Sequence, residues 1–431
     1  MNVNKVKPNG LALLPIIIFL ILFIGVGVVQ KDFYSMPAVI GFLIALAVAF
    51  LQTRGISFNE KISIIAKGVG DDNIITMCLI FLVAGAFSGS VSAAGGVNST
   101  VNLGLSLLPP GIAVIGLFVI GCFISISMGT SMGTIAALAP IAIGISQKTN
   151  FPIAVCIGAV VSGAMFGDNL SMISDTTIAA VRTQGCNMRD KFRKNFLIVL
   201  PAAIATIVIL FFMTSGANFT VSKDLDYNIF QVIPYILVLV TALIGLNVFI
   251  VLIGGITFSV IVGIATGAMK VSQIFTSMGQ GATGMYDITV ISILVACISA
   301  LVKYNGGFAF ILESIHKHIH SYRGAEFGVA ALVGLIDCAT ANNTVAIVIA
   351  GPIAKEISED YGIEADRSAS LLDMFASVFQ GIIPYGAQLL SAASLTGLSS
   401  FDIMPYLFYP YLMAVCGIVS ILISKKKLGK A

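Results

Sequence analysis

Polar residues that can bind ions or organic solutes interrupt the apolar stretches of this chain in four short clusters. The clusters lie at 125–134, 167–177, 337–344 and 380–388. Their oxygen atoms are ligands of hard cations, and their amide and carboxylate groups can also recognise a small polar solute. The candidate binding residues are Ser127, Thr130, Ser131, Asp168, Asn169, Asp337, Asn342, Asn343, Thr344, Gln380, Tyr385 and Gln388. A candidate sodium site comprises Asp168, Ser171, Ser174, Asp175 and Thr176.

Asp168 and Asp175 are the carboxylates with the widest choice of chemistry. They would share one face of a continuous helix, but Gly167 and the polar residues between them favour a break. Each can bind sodium, bind a substrate ammonium group or carry a proton. Ionisable groups inside a bilayer are costly, and for this reason they mark transport pathways. Hydroxyl and glycine residues also occur at ordinary helix contacts in membranes, and that alternative stays open for the single hydroxyls.

The composition places these clusters in a membrane protein. Of the 431 residues, 58% are apolar and 10% are charged, and the mean hydropathy is +1.02. Average soluble domains carry about 25% charged residues. The composition therefore excludes a cytosolic enzyme, a nucleic-acid-binding protein, a disordered protein and a disulfide scaffold. The long apolar runs indicate helices rather than strands, so we expect an all-α polytopic membrane protein that is not an enzyme and needs no cofactor.

Charged residues predict how this protein is oriented. Basic residues precede the first apolar run, follow the last one and crowd the segment 182–194. This pattern predicts that both termini and that segment face the cytoplasm, with the chain in the cell inner (plasma) membrane. The segments 215–228 and 396–401 then face the opposite side. Two weakly amphipathic segments, near 57–69 and 271–284, fit helices that lie in the membrane interface.

The two halves of the chain match each other at an offset of about 212–214 residues. Five of eight residues are identical between 139–146 and 351–358, and the polar clusters follow in the same order. The basic segment 182–194 corresponds to the uncharged segment 396–401, so equivalent loops lie on opposite sides of the membrane. Inverted repeats with interrupted helices are typical of secondary transporters, whose site lies at mid-membrane between the repeats.

We therefore expect two inverted-topology repeats, each with a re-entrant helical hairpin and a broken transmembrane helix. Repeat 1 (1–215) would hold scaffold helices within 11–93 and transport elements within 111–214, and repeat 2 (216–431) would hold scaffold helices within 229–303 and transport elements within 325–424.

The segment 167–177, Gly-Asp-Asn-Leu-Ser-Met-Ile-Ser-Asp-Thr-Thr, resembles the G-D-x-x-S-x-x-S-D-T-T signature of the NhaC-type sodium/proton antiporter family. That family belongs to the ion transporter superfamily, and the resemblance extends over nearly the whole chain. It implies a scaffold, often dimeric, and an elevator-type transport domain with its site at the hairpin tips and helix breaks. Met172 replaces the proline usual in antiporter members. The segments 177–185 and 383–390 resemble a divergent branch labelled as amino-acid permeases, with histidine among the proposed cargoes.

Two transport functions fit these residues. The first is sodium- or proton-coupled uptake of a small amino acid, with histidine a leading candidate, by elevator-type alternating access in a homodimer. It is motivated by neutral hydrogen-bonding groups beyond the needs of an ion exchanger: Asn342, Asn343, Gln380, Tyr385 and Gln388. The alternative is a Na+/H+ antiporter in which Asp168 and Asp175 are the alternating carriers. A passive channel or a structural membrane protein is a third class, against which the inverted repeat argues.

Overall fold

The computed structural model describes residues 7–30, 36–107, 109–172, 174–215, 225–244 and 246–424. Within these ranges the secondary structure is entirely helical, which confirms the predicted all-α class. The α-helices of the first half are Leu14–Gln30 (α1), Ala38–Gln52 (α2), Phe58–Val69 (α3), Asp72–Ala93 (α4), Gly96–Leu107 (α5), Pro110–Met128 (α6), Ser131–Thr149 (α7), Ile153–Leu170 (α8), Asp175–Gln184 (α9) and Met188–Ser215 (α10). Those of the second half are Ile229–Leu243 (α11), Val248–Ala265 (α12), Ile274–Thr283 (α13), Tyr286–Tyr304 (α14), Gly307–Lys317 (α15), Tyr322–Thr340 (α16), Asn343–Tyr361 (α17), Ala365–Ile382 (α18), Ala387–Thr396 (α19), Ser400–Ile403 (α20) and Phe408–Ile423 (α21).

Several of these helices are long and apolar enough to cross a membrane. Within the described ranges, three stretches qualify alone: Ile74–Ala93, Ile153–Gln184 and Met188–Ser215. Three bent pairs qualify when each pair is taken as one span, namely α5 with α6, α14 with α15, and α20 with α21. Their bends are 118°, 67° and 57°. These lengths match the thickness of a bilayer core, as expected for a polytopic membrane protein.

Two helical hairpins, α6–α7 and α16–α17, reverse direction with the same local chemistry. Gly129 (φ +68°) and Ala341 (φ +47°) take the left-handed conformation directly after the first helix of each hairpin. The next residue, Thr130 or Asn342, is extended, and its side chain accepts the backbone N–H three residues further on, at 3.4 Å and 3.0 Å. A left-handed residue followed by an extended cap turns the chain sharply, and it leaves helix N-terminal amides at the tip.

Two further helices are interrupted, each by four residues. The first break lies between α8 and α9 and the second between α18 and α19. In the first break, Ser171 Oγ donates to the carbonyl of Ile126 on α6 at 2.6 Å, so its side chain joins the break to the neighbouring hairpin. In the second break, Pro384 lacks the N–H that a continuing helix would need.

The helix ends of the two halves keep a constant spacing. The helices α6, α7, α8 and α9 have the same lengths as α16, α17, α18 and α19, and each begins 212 residues before its counterpart. Positive φ angles follow the same rule, because the ten described residues that have one form five pairs separated by 211 or 212 residues. These pairs are Gly55 and Gly267, Gly95 and Gly306, Gly129 and Ala341, Asn150 and Gly362, and Gly185 and Gly397.

Contacts between the halves are reciprocal. Helix α3 packs on α14 while its counterpart α13 packs on α4, and α9 packs on α17 while α19 packs on α7. The contact between α13 and α4 is very close, since Gly281 and Gly85 meet backbone to backbone. Each amphipathic segment that the sequence predicts at the membrane interface is therefore also anchored on a long helix of the other half.

Candidate functional site

A polar cavity of about 390 Å³ lies where the two hairpin tips and the two helix breaks meet α4 and the start of α12. Pockets of roughly 300–1,000 Å³ are typical of small-molecule sites. The first half contributes Thr76, Ile80, Gly129, Thr130, Ser131, Met132, Asp168, Ser174, Asp175 and Thr176 to its lining. The second half contributes Leu246, Asn247, Phe249, Asn342, Asn343, Thr344, Gln380, Ala387 and Gln388.

Asp168 is the buried carboxylate of this cavity. It lies in the last turn of α8, and 5% of its surface is exposed. Its Oδ2 accepts a hydrogen bond from Ser131 Oγ at 2.8 Å, and its Oδ1 accepts one from Ser174 Oγ at 2.5 Å. The helix break directs Ser174 toward Asp168, and the first hairpin tip supplies Ser131. Hydroxyl donors stabilise the ionised carboxylate, and the same hydroxyl oxygens are suitable ligands for a cation.

A chain of hydrogen bonds joins Asp168 to the second half. Gln380 Nε2 donates to Gln388 Oε1 at 2.7 Å, and Gln388 Nε2 donates to Ser131 Oγ at 3.0 Å. Ser131 then donates to Asp168. Gln380 lies 212 residues after Asp168, so the second half places a neutral amide where the first half places a carboxylate.

Asp175 has a different environment from Asp168. It is the first residue of α9, and its side chain is exposed at the cavity wall. A helix N-terminus favours a negative charge. Asp175 is therefore an exposed carboxylate at the cavity wall, whereas Asp168 is a buried one.

Two buried polar atoms on the lining residues of the second half have no hydrogen-bond partner. They are Gln380 Oε1, an acceptor, and Asn343 Nδ2, a donor. A buried polar atom without a partner costs about 1–3 kcal/mol, so such atoms at a cavity are available to bind a polar ligand. This pair can satisfy one donor and one acceptor of a polar solute.

The charge of the cavity favours a cation. The described lining residues include two carboxylates and no lysine, arginine or histidine. Among the described residues, no group of three or more His, Cys, Asp and Glu side chains is placed to hold a metal ion. The oxygens of Asp168, Ser131 and Ser174 are the grouped ligands that this part of the lining offers a cation.

Most of the residues that the sequence predicts for the site line this one cavity. Those that do are Thr130, Ser131, Asp168, Ser174, Asp175, Thr176, Asn342, Asn343, Thr344, Gln380 and Gln388. Four do not: Asn169, Ser171, Asp337 and Tyr385. The side chain of Ser127 lies outside the described part of the structure. Two polar lining residues, Thr76 and Asn247, were missed by the sequence analysis, although Asn247 stands out as an amide between two apolar runs.

Asp337 and Tyr385 lie beside the cavity rather than in it. Asp337, in α16, is fully buried, and neither of its carboxylate oxygens has a hydrogen-bond partner. Tyr385, in the second helix break, donates its hydroxyl hydrogen to the carbonyl of Cys338 at 2.7 Å. Its ring packs edge-on against Phe19 and Phe42. Tyr385 therefore holds the break against α16, α1 and α2.

A buried ion pair between Lys191 and Asp373, which the sequence does not predict, lies behind the first helix break. The sequence places Lys191 in a basic loop, whereas in the structure α10 begins at Met188 and Lys191 is 1% exposed. Lys191 Nζ donates to Asp373 Oδ2, to Thr177 Oγ1 at 3.0 Å and to the carbonyl of Asn169 at 3.0 Å. Several basic residues at the start of an apolar helix resemble a basic cytoplasmic loop, and a single sequence does not distinguish a helix start from such a loop.

Comparisons with known proteins show which family this chain is similar to. A family model described as the Na+/H+ antiporter family matches residues 9–215 and 227–424. The chain is 22% identical to the "Malate-2H(+)/Na(+)-lactate antiporter" of Bacillus subtilis (strain 168), over 93% of this chain and 92% of that protein. It is 23% identical to "Na(+)/H(+) antiporter NhaC" of the same organism, over 87% of this chain and 90% of that protein. It is also 23% identical to the "Arginine/ornithine antiporter ArcD" of Halobacterium salinarum, over 95% of this chain and 91% of that protein.

Proposed function

The chain belongs to the Na+/H+ antiporter family, and from this premise we propose that it exchanges Na+ for protons across the membrane in which it is embedded. Family membership makes it a secondary transporter. Of the two transport functions that the sequence suggests, this is the alternative one, Na+/H+ antiport, rather than amino-acid uptake. The single observation that carries it is Asp168, a buried carboxylate with two hydroxyl donors at a cavity whose described lining has no basic residue.

Asp168 supplies the exchange because one carboxylate can hold either ion. Na+ would bind its oxygens together with those of Ser131 and Ser174, and a proton would convert it to a neutral acid. Both loaded forms remove the net negative charge at this position. The empty carboxylate keeps its charge, and moving a charge through the low-dielectric membrane is costly. Asp168 would therefore move across the membrane only with Na+ or a proton bound, and this restriction couples the two ion flows.

The proposed movement is alternating access of the hairpins and interrupted helices against the scaffold. The cavity lies between α4 and the start of α12 on one side and the hairpin tips and breaks on the other, so sliding these groups past each other would change its exposure. We propose that the halves are inverted repeats, a view supported by the 212-residue spacing and the reciprocal contacts. We also propose that this motion is of the elevator type, that the protein is a homodimer and that both termini face the cytoplasm.

A second candidate function is exchange or uptake of a small amino acid in the same cavity. It is favoured by the unpartnered Gln380 Oε1 and Asn343 Nδ2, since a sodium ion needs no hydrogen-bond donor. A relative named for arginine and ornithine gives the amino-acid class some support. The comparisons do not single out histidine.

The test uses the purified protein in liposomes that contain a pH-sensitive dye. An outward-directed Na+ gradient should drive saturable proton movement into the liposomes. An equal gradient of K+ or choline should not. The variant Asp168→Asn should reconstitute equally well and show no Na+-driven signal. Proton movement that is unchanged in this variant would contradict the role of Asp168. A signal that requires an amino acid as well as Na+ would favour the second candidate.

A further inference from the structure

Lys191 lies in a cage made only of oxygen atoms. Its ammonium donates to the carbonyl oxygen of Asn169, to Thr177 Oγ1 and to Asp373 Oδ2. The three bonds use all three N–H groups of the ammonium. Lys191 is 1% exposed and Asp373 is fully buried, so both charges are shielded from bulk solvent.

The cage is rigidly supported and is not fully used by the lysine. Asn195 Nδ2 donates to the carbonyl oxygen of Asn169 at 3.1 Å and to its Oδ1 at 2.9 Å, which fixes the end of α8 against α10. Ser370 Oγ in turn donates to Asn195 Oδ1 at 3.2 Å. Asp373 Oδ1 is buried and has no hydrogen-bond partner, so a fourth oxygen stands beside the ammonium unsatisfied.

The second set of residues related by the 212-residue spacing does not reproduce this arrangement. The residue 212 positions after Lys191 is Ile403, and the residue 212 positions before Asp373 is Val161. The repeat spacing therefore does not account for the cage. Stability does not account for it either, because a buried ion pair usually contributes no more than apolar residues of the same size.

We propose that the Lys191 ammonium permanently fills a second cation site, made by Asn169 O, Thr177 Oγ1 and Asp373, and thereby limits the transporter to one exchangeable Na+ at Asp168. The oxygen set of carbonyl, hydroxyl and carboxylate is the set that a hard cation prefers. Asn169 directly follows Asp168 in the chain, and Thr177 follows Asp175 by two residues, so the cage and the exchange site adjoin the same helix break. The count of exchangeable ions depends on the proposed function, whereas the cage itself does not.

Removal of the ammonium should turn the cage into a Na+ site. Without it, Asp373 would be a buried carboxylate without a counter-ion, which is strongly unfavourable unless a metal cation or a proton neutralises it. For the proposal to hold, Na+ must do so at a pH at which carboxylic acids are normally ionised. The variant Lys191→Ala leaves all three oxygen ligands in place. The variant Lys191→Met also removes the charge but retains most of the apolar stem.

The experiment counts bound 22Na+ per chain by equilibrium binding on the purified protein. The wild type is expected to bind one ion and Lys191→Ala two. Lys191→Ala/Asp373→Asn should return to one, because the cage has lost its charge. Asp168→Asn should bind none, and Asp168→Asn/Lys191→Ala should bind one, which separates the cage from the exchange site.

Each other outcome is informative. A folded Lys191→Ala or Lys191→Met protein that binds the same number of ions as the wild type overturns the proposal. So does aggregation of both variants in saturating Na+ when Lys191→Met/Asp373→Leu remains monodisperse, since the ion pair is then structural and Na+ does not replace it. If the wild type binds no Na+ while Lys191→Ala binds one, the proposed function fails and the cage proposal stands.

Discussion

Gln388 Nε2 lies 3.0 Å from Ser131 Oγ, and this hydrogen bond joins the second half of the chain to the carboxylate of the first half. Ser131 uses its oxygen to accept from Gln388 and its hydrogen to donate to Asp168. The hydroxyl is thereby held in one orientation. If a cation binds Asp168 as proposed, Ser131 would turn its oxygen toward the ion, and the bond from Gln388 would then link ion binding to the position of α19.

The first prediction concerns Gln388→Ala. The variant removes the bond from Gln380 and the bond to Ser131, and only the second reaches the ligands of Asp168. Loss of that one hydrogen bond changes binding by about 0.5–1.5 kcal/mol, and we therefore expect Na+ affinity to fall by up to about tenfold. The measurement is a Na+ titration of transport or of thermal stability. Gln184→Ala is the matched control: Gln184 is also a buried glutamine whose amide bonds to the other half, to Gly351 O at 2.8 Å, but it lies away from the cavity. An equal loss of Na+ affinity in both variants would contradict a specific role for Gln388.

The second prediction ranks the two carboxylates of the cavity. Asp168→Asn should abolish Na+-driven exchange, because it removes the group that alternates between Na+ and H+. Asp175→Asn should still exchange Na+ for protons, but the Na+ concentration at half-maximal rate should rise several-fold. The reason is that Asp175 is exposed and would attract Na+ by long-range electrostatics rather than bind it directly. This effect should shrink in high concentrations of choline chloride, which screen an exposed charge. Complete loss of exchange in Asp175→Asn would instead make both carboxylates carriers, as the sequence alone suggests.

The third prediction compares two fully buried aspartates, one without a hydrogen-bond partner and one in an ion pair. Asp337 has no hydrogen-bond partner for either oxygen, whereas Asp373 is paired with Lys191. Asp337→Leu removes two unsatisfied oxygens and should raise the free energy of unfolding by about 1–2 kcal/mol. Asp373→Leu leaves the buried Lys191 without a counter-ion and should lower it by about 3 kcal/mol or more.

Thermal unfolding in the same detergent measures both variants. A destabilised Asp337→Leu would show that Asp337 has a partner such as a bound water or ion. Loss of transport in a stabilised Asp337→Leu protein would assign this carboxylate a role in the transport cycle.

The sequence predicts the local features of this fold well, because those depend on neighbouring residues. Gly129 and Thr130 mark the first hairpin tip, and Pro384 marks the second helix break, through backbone chemistry that a few residues determine. The matching order of polar clusters similarly anticipates the constant spacing of the helix ends. The close contact of α13 with α4 is not readable from either segment, because it depends on which glycines face each other.

The candidate site divides in the same way. The residues at tips and breaks were predicted as a group because polar side chains within apolar runs are conspicuous. Asn169 and Ser171 belong to the same cluster as Asp168, yet their side chains turn away from the cavity, and only the course of the break determines which way each one points. The pair Lys191 and Asp373 is 182 residues apart, and its charges look like those of ordinary helix ends.

The fourth prediction tests the contact between α13 and α4 through two glycines of α13. A side chain at Gly281 would overlap the carbonyl oxygen of Gly85 on α4, whereas nothing lies within 4 Å of the corresponding position at Gly279. Gly281→Val should therefore force α13 away from α4 and lower the free energy of unfolding by about 1–3 kcal/mol. Gly279→Val introduces the same residue into the same helix without an overlap and should be nearly neutral. Because α4 also carries Thr76 and Ile80 of the cavity wall, Gly281→Val should slow transport as well. Equal stability and equal rates in the two variants would show that the close contact between α13 and α4 is not needed to hold the cavity wall in place.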